Sequence, residues 1–421
     1  MSRDLHWEEA RARVVDGLSP LPPVTVPTAN SRGLALAEAV RAPESMPPFD
    51  NSGMDGFAVR GEDVIEASEE RPRRLEVLGS LPAGSAERFR VGPGQAVRIM
   101  TGAPVPEGAD AVVPVELTNF WDESAERGRL PRGPDEERVV LVRGTVPAGG
   151  NVRRAGESVR RDETFLDAGK RLGGPEVALL LSVGVREITV HPRPVVGVLS
   201  TGDELVPPEA DPGPGQIRDS SRAGILAALT DYGFPTVDLG LVGDDEEELT
   251  RAVVEGAERV DFLLTTGGVS VGDYDFTRRV LDRVGRVEAY RVAVKPGKPQ
   301  LFGRVGPTPV FGLPGNPVSS LVVLDQFVLP GLKKLAGRAD LYRPFFAARL
   351  SEAVKRRPGR TEFLRVRLET RDGEWIACST GPQGSGILST LTRANGYALL
   401  PPEAETISAG TRVLCQLMSR D

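Results

Sequence analysis

Val195-Val196-Gly197-Val198-Leu199, followed by Ser200-Thr201-Gly202-Asp203-Glu204, is the stretch whose reading decides the fold. The first half is apolar without alternation, as a strand covered on both faces must be, and the second is a polar loop leaving the strand end. Downstream, Asp219-Ser220-Ser221 caps a helix carrying Ile225, Leu226 and Leu229 that Gly233 closes. Val237-Asp238-Leu239-Gly240-Leu241 predicts another strand, and Asp244 with Glu247 a capping box for the next helix. Phe262-Leu263-Leu264-Thr265 predicts a third strand, with a helix through Val280, Leu281 and Val284 beyond it. Strands and helices alternating at this length predict a doubly wound, mostly parallel α/β sheet over residues 191–336. In such sheets ligands collect where strands end and helices begin.

Outward from this centre the texture changes twice. Residues 43–147 are short apolar runs punctuated by Gly and Pro, such as Ala96-Val97-Arg98-Ile99-Met100 and Ala111-Val112-Val113-Pro114-Val115. They predict an inserted β-rich domain, with residues 121–138 as an exposed charged loop. Residues 5–18, 31–40 and 152–190 read as helical, which predicts a helical stalk from 1–42 and 148–190 on both sides of the insertion. Residues 337–421 alternate again, as in Phe363-Leu364-Arg365-Val366-Arg367-Leu368, and predict a small all-β domain. The whole is thus a multidomain α/β and β protein, as 421 residues require.

Composition narrows the function. Hydrophobic residues at 40% and charged residues at 26% suit a water-exposed globular surface. A formal charge of -7 and 5% aromatic residues leave little with which to grip a nucleic acid backbone or stack its bases. No apolar span is long enough for a membrane, and the charged start lacks a signal-peptide centre. Cys378 and Cys415 are the two cysteines, too few for a disulfide framework, so the expected compartment is the cytoplasm.

Three loops carry the chemistry. Lys295-Pro296-Gly297-Lys298-Pro299 brackets a stiff turn with two ammonium groups. Gly312-Leu313-Pro314-Gly315-Asn316-Pro317-Val318-Ser319-Ser320 joins a strand to a helix, where free amides and the helix dipole favour an anion. Gly267-Gly268-Val269-Ser270-Val271-Gly272-Asp273-Tyr274-Asp275 combines a phosphate-compatible backbone with carboxylates. Asp203, Glu204, Asp244, Asp273 and Asp275 all fall at strand exits of one sheet. Singly each reads first as a cap or turn residue; together they suit magnesium, which is commonly shared between one or two carboxylates and substrate phosphates. There is no GxxxxGK[ST] loop and no Cys-x-x-Cys, and the two histidines, His6 and His191, are too few for a histidine metal site or a catalytic triad.

Pro47-Pro48-Phe49-Asp50-Asn51-Ser52-Gly53-Met54-Asp55-Gly56-Phe57-Ala58-Val59-Arg60 closely resembles the signature of molybdopterin molybdenumtransferases, relatives of the gephyrin E domain. Arg98-Ile99-Met100-Thr101-Gly102-Ala103-Pro104, Asn151-Val152-Arg153-Arg154-Ala155-Gly156-Glu157 and the Gly267, Lys295 and Gly312 loops resemble that family in the same order. Pterin adenylyltransferases share the sheet-domain motifs but lack the Pro47 segment. The resemblance implies a C-terminal β-barrel-like domain, an elongated homodimer, and a reaction joining adenylylated molybdopterin and molybdate with release of AMP. It implies magnesium held by Glu157, Glu204, Asp244 and Asp275, and catalytic roles for Asp55, Thr101, Glu204 and Asp275. Gly267, Gly268, Ser270, Lys295, Lys298, Pro314, Gly315, Asn316, Pro317, Arg360 and Ser385 are the implied pterin-binding residues. A pterin adenylyltransferase and molybdoenzymes are implied partners. Two departures stand out: Ser158 where the family often has Asp, and Arg291 where it often has Lys. The rival readings are a pterin adenylyltransferase using ATP, and a gephyrin-like scaffold.

Overall fold

The computed structural model describes residues 4–120, 138–268 and 276–418. The deciding stretch is strand β1 (Val196–Thr201), followed by α1 (Ser220–Asp231), β2 (Thr236–Val242), α2 (Glu246–Glu258), β3 (Phe262–Thr266) and α3 (Phe276–Val284). Then come β4 (Gly285–Arg291), β5 (Pro299–Val305), β6 (Thr308–Leu313) and α4 (Pro317–Val323). The strands form one six-stranded sheet in the order β2-β1-β3-β6-β5-β4. The first four are parallel; β5 runs antiparallel to both its neighbours, β6 and β4, so β4 returns to the direction of the first four.

Unbroken apolar sequence is explained by burial on both sides. In β1, Val196 and Val198 join a core with Ile225 and Leu229 of α1 and with Trp7, Ala10 and Val14 of the N-terminal helix Trp7–Asp16. The alternate residue, Leu199, joins Leu249 and Val253 of α2 and Val280 and Leu281 of α3. The same division separates Phe262 and Leu264 from Leu263. Each such side chain stabilises the fold by about 1.5–3 kcal/mol, and truncating Phe311 to Ala would cost roughly 3–5 kcal/mol.

Helix ends follow side-chain chemistry. The Asp219 carboxylate accepts from the Arg222 amide and caps α1, as predicted. The α2 cap is Asp245, which accepts from the amides of Glu247 and Glu248, so the capping box predicted at Asp244 is displaced by one residue. That shift leaves the Asp244 side chain at the strand-end loop.

By internal contacts the chain folds as two units. One comprises Met1–Glu38, Ala168–Gly174 and Glu187–Asp421; the other comprises Ala39–Asp167 and Pro175–Arg186. The first unit contains the sheet and also a closed five-stranded barrel. Thr361–Arg371 pairs with Glu374–Ser379, which pairs in turn with Phe346–Leu350, Arg412–Leu417 and Gly396–Leu400 before the circuit returns to Thr361–Arg371. Val294–Lys295 adds to this barrel as a parallel two-residue strand, with Val294 opposite Thr361 and Lys295 opposite Glu362.

The second unit holds a five-stranded sheet in the order Ala111–Pro114, Gly56–Val59, Gln95–Ile99, Arg73–Leu81, Val139–Val142. The amides of Asn119 and Arg143 donate to Leu141 and Leu117 carbonyls and tie its outer strands together. Phe57 and Phe120 meet edge-on within its core at a centroid distance of 4.9 Å. Of the charged segment predicted as a loop, residues 121–137 lie outside the described residues.

The predicted helical stalk is corrected. Residues 31–40 form a turn and short strands, and within 148–190 the helix is confined to Gly174–Ser182. Leu34, Ala35 and Leu36 favour a helix locally, yet Leu36 and Ala37 donate to the carbonyls of Lys170 and Thr189 instead. Pairing with Glu187–His191, whose other edge holds Val24–Pro27, overrides helix propensity.

Candidate active site

Three loops distant in sequence meet between the sheet and the barrel of the first unit. They line a cavity of about 820 Å³ with Gly268, with Lys295, Pro296 and Gly297, and with Pro314, Gly315, Asn316 and Ser319. The barrel supplies Lys355, Arg360, Glu362 and Ser385 to the opposite wall. Gly268, Lys295, Pro314, Gly315, Asn316, Arg360 and Ser385, all anticipated from sequence, therefore share one hollow.

Local chemistry sets each wall. Thr266 and Ser320 hydroxyls both donate to the Pro314 carbonyl, and Ser221 donates to that of Gly315. These bonds fix the carbonyls of the loop entering α4, where Asn316 stands at the cap and Pro317 takes the first helical position. Gly297 has φ 94°, and a Cβ there would lie 2.2 Å from Val323 Cγ2, so the turn beside Lys295 admits only glycine without strain.

Lys295 Nζ is 2.7 Å from the Glu362 carboxylate, whose other oxygen is 3.3 Å from Arg356. Arg356 also donates to the carbonyls of Arg360, Pro401 and Ala404, holding the segment that presents Arg360. Glu362 and Arg356 were not singled out in the sequence. The signal for Glu362 was proximity to Arg360 in Arg360-Thr361-Glu362, but nothing local distinguishes a buried carboxylate there from an exposed one.

Other anticipated residues lie elsewhere. Lys298 is outside the cavity lining and pairs with Asp4 at 2.9 Å, as Arg291 does at 3.2 Å. Gly267 and Pro317 adjoin the lining. Ser270 and Asp275, with Asp273, lie outside the described residues. Asp244 sits at the strand ends, where its amide donates to Asp203 and its carboxylate accepts from Thr201 Oγ1 at 3.4 Å. Glu204 is exposed on the loop leaving β1. Among the described residues no group of three or more His, Cys, Asp or Glu side chains could hold a metal ion.

In the second unit, the Thr101 amide and hydroxyl both donate to Asp55 Oδ1 at 2.7 Å. The amide first, then the hydroxyl, with help from the Arg98 charge, holds the Asp55 carboxyl below the usual carboxylate range. Glu157 accepts from the Arg154 amide at 3.0 Å, and Arg154 pairs with Asp50 at 2.6 Å. The carboxylate of Asp50 is also held low, first by the Ala155 amide and then by Arg154.

Both cysteines are free, and burial pushes the Cys415 thiol up to about 12. No described helix is long and apolar enough to cross a membrane.

A doubly wound sheet whose strand-end loops meet basic side chains of a barrel defines a binder of compact polyanions. Family profiles agree along the chain: "MoeA N-terminal region (domain I and II)" matches residues 5–184, "Probable molybdopterin binding domain" 197–334, and "MoeA C-terminal region (domain IV)" 347–418. Molybdopterin molybdenumtransferase 2 of Mycobacterium tuberculosis is 38% identical, covering 93% of this chain and 94% of its own. The Haemophilus influenzae molybdopterin molybdenumtransferase is 36% identical over 97% of both. A crystal structure of a molybdopterin biosynthesis MoeA protein from Pyrococcus horikoshii superposes with a TM-score of 0.76 at 32% identity, covering 99% of each chain. The chain belongs to the molybdopterin molybdenumtransferase family.

Proposed function

We propose that this protein is a transferase that joins molybdate to adenylylated molybdopterin, releasing AMP and giving molybdenum cofactor. The observation carrying this reading is the shared cavity of the Gly268, Lys295 and Gly315 loops, walled by Arg360 and Ser385. Both reactants are anions, so their approach in water is opposed by charge. Lys295, Lys355 and Arg360 offset that repulsion, and glycines allow phosphate oxygens close to backbone amides. Ser385 orients an oxyanion as a neutral donor. Histidine-mediated proton transfer has no place in this scheme, because charge screening and positioning suffice.

Magnesium belongs to the proposal. Glu204 and Asp244, with Asp275 and with Glu157 in the second unit, are the carboxylates offered to it, and when bound it would stabilise charge left on departing AMP. Asp55, fixed by Thr101, is proposed to serve the cavity of a second copy in a homodimer, where it helps place molybdate or the cation. The proposed compartment is the cytoplasm, which two unpaired cysteines suit. Delivery to molybdoenzymes, and supply by a pterin adenylyltransferase, follow from the reaction.

The deciding experiment incubates purified protein with adenylylated molybdopterin and magnesium, with and without molybdate. AMP release and cofactor formation that require molybdate are expected. Transfer of AMP from ATP to molybdopterin without molybdate would overturn the reading in favour of an adenylyltransferase. Matches to molybdenumtransferases along more than nine-tenths of the chain disfavour that rival.

A further inference from the structure

Arg365 has the largest fully buried side chain among the described residues, at 1% exposure. A buried guanidinium ordinarily carries a carboxylate partner, because removing an unpaired charge from water is costly. Arg365 has none within ion-pairing distance among the described residues. Its Nε donates to Thr390 Oγ1 at 2.8 Å, and its Nη2 to the Gly384 carbonyl at 3.1 Å. Its backbone completes the clasp: the amide donates to Gln383 Oε1 at 2.9 Å, and the carbonyl accepts from Thr380 Oγ1 and Gln383 Nε2. Gly381, Gln383, Gly384 and Ser385 all line the cavity. The Nη2, amide and carbonyl of Arg365 are therefore engaged by residues 380–384, and its Nε by Thr390.

Charge bookkeeping points the same way. The buried carboxylate at this wall, Glu362, is already engaged by Lys295 and Arg356. Burial lowers the guanidinium's affinity for its proton below the ordinary arginine value, with Tyr397 and Glu362 acting in the opposite sense. An arginine nonetheless keeps its charge, so a net positive field remains beneath residues 381–385.

We propose that Arg365 is a positioning residue, which holds Gly384 and Ser385 in the cavity wall and tunes that wall for a tetrahedral oxyanion. The proposal rests on the reading of the cavity as the molybdate-using site. Arg365 acts through the wall segment rather than by contact with substrate. Lysine cannot replace it, since a single ammonium does not span Thr390 and Gly384 in fork geometry.

The test compares the full-length protein with Arg365→Lys, Arg365→Met and Thr390→Val, the last retaining the guanidinium while removing one of its acceptors. Steady-state kinetics varying molybdate and adenylylated molybdopterin separately are read beside equilibrium binding of molybdate alone. The expected result is a KM for molybdate raised at least tenfold in Arg365→Met. Arg365→Lys and Thr390→Val should fall between it and the unaltered protein, and the KM for the pterin substrate should rise by a smaller factor. A merely structural role would lower the active fraction, hence apparent kcat, at unchanged KM for molybdate, and that result overturns the proposal. If Arg365→Met does not fold, the other two variants decide by the same criterion. Failure of the unaltered protein to bind or use molybdate would instead overturn the reading of the cavity itself.

Discussion

Lys295 Nζ stands 2.7 Å from Oε1 of Glu362, a side chain only 4% exposed, while the lysine remains 38% exposed. The lysine expected to meet an anion is thus tethered to a buried carboxylate of the barrel. Arg356, 1% exposed in its side chain, approaches the second carboxylate oxygen.

Replacing Glu362 by Gln removes the negative charge that both cations share and turns one of its two acceptor oxygens into an amide donor. A buried pair broken from one side costs about 3–5 kcal/mol. Glu362→Gln is therefore expected to lower the denaturant midpoint strongly. Lys295→Met should cost clearly less, because Arg356 still neutralises Glu362 and the lysine is partly in water. Equal losses in the two variants would contradict this ordering.

The turn after Lys295 gives a contrast between two glycines. A Cβ at Gly297 meets Val323 at 2.2 Å and is further strained by φ 94°, whereas a Cβ at Gly315 meets nothing closer than 3.6 Å. Gly297→Ala should displace the lysine turn and weaken molybdate binding at least tenfold. Gly315→Ala should leave the apo fold and Tm within error, so any effect it has must appear only with ligand. Calorimetry with molybdate distinguishes them.

Asp55 supplies a pH signature. Its folded carboxyl is held low by Thr101, so its contribution to stability is complete above the ordinary carboxylate range and is lost as pH falls through the lower folded value. Thr101→Val removes the hydroxyl donor but keeps the amide, and should move the Asp55 titration upward toward the ordinary value. Carbon-detected NMR of the carboxyl reads this directly. An unchanged midpoint would show that the hydroxyl contributes nothing.

Lys333 titrates in the opposite regime. Burial, above all, and then nearby Arg338 push its ammonium down to about 8. Because the unfolded chain binds that proton more tightly, the burden on the fold is full below about 8 and relieved as pH rises toward the unfolded lysine value. Lys333→Met should be neutral or stabilising at pH 7, gaining at most roughly 3 kcal/mol, with the gain shrinking by pH 10. Paired urea titrations at both values check the sign.

The sheet was legible because residues 195–199 and 262–264 carry no polar side chain, a pattern that two-sided burial requires. The three glycine- and lysine-bearing loops followed from their places at strand ends. What escaped reading depends on partners remote in sequence. Lys298 resembles Lys295 in every local respect, yet Asp4 draws it away. In Phe363-Leu364-Arg365-Val366, strand alternation predicts an outward Arg365. Leu364 and Val366 do face the barrel interior, but Phe363 meets Trp7 edge-on at 5.4 Å and Arg365 is covered by Thr390 and Gly384. A barrel strand covered on its outer face reveals itself only in the assembled unit.

The short Val294–Lys295 strand carries a mechanical consequence. Between β4 and β5 the backbone leaves the sheet, takes two rungs on the barrel, and comes back. Lys295 thus travels with Glu362 and Arg360, while Gly268 and Gly315 travel with the strand ends of the sheet. Any rocking of the barrel would widen or narrow the gap between basic jaw and glycine jaw without unpairing the lysine, so the cavity can change its grip while its internal charge pairing stays intact.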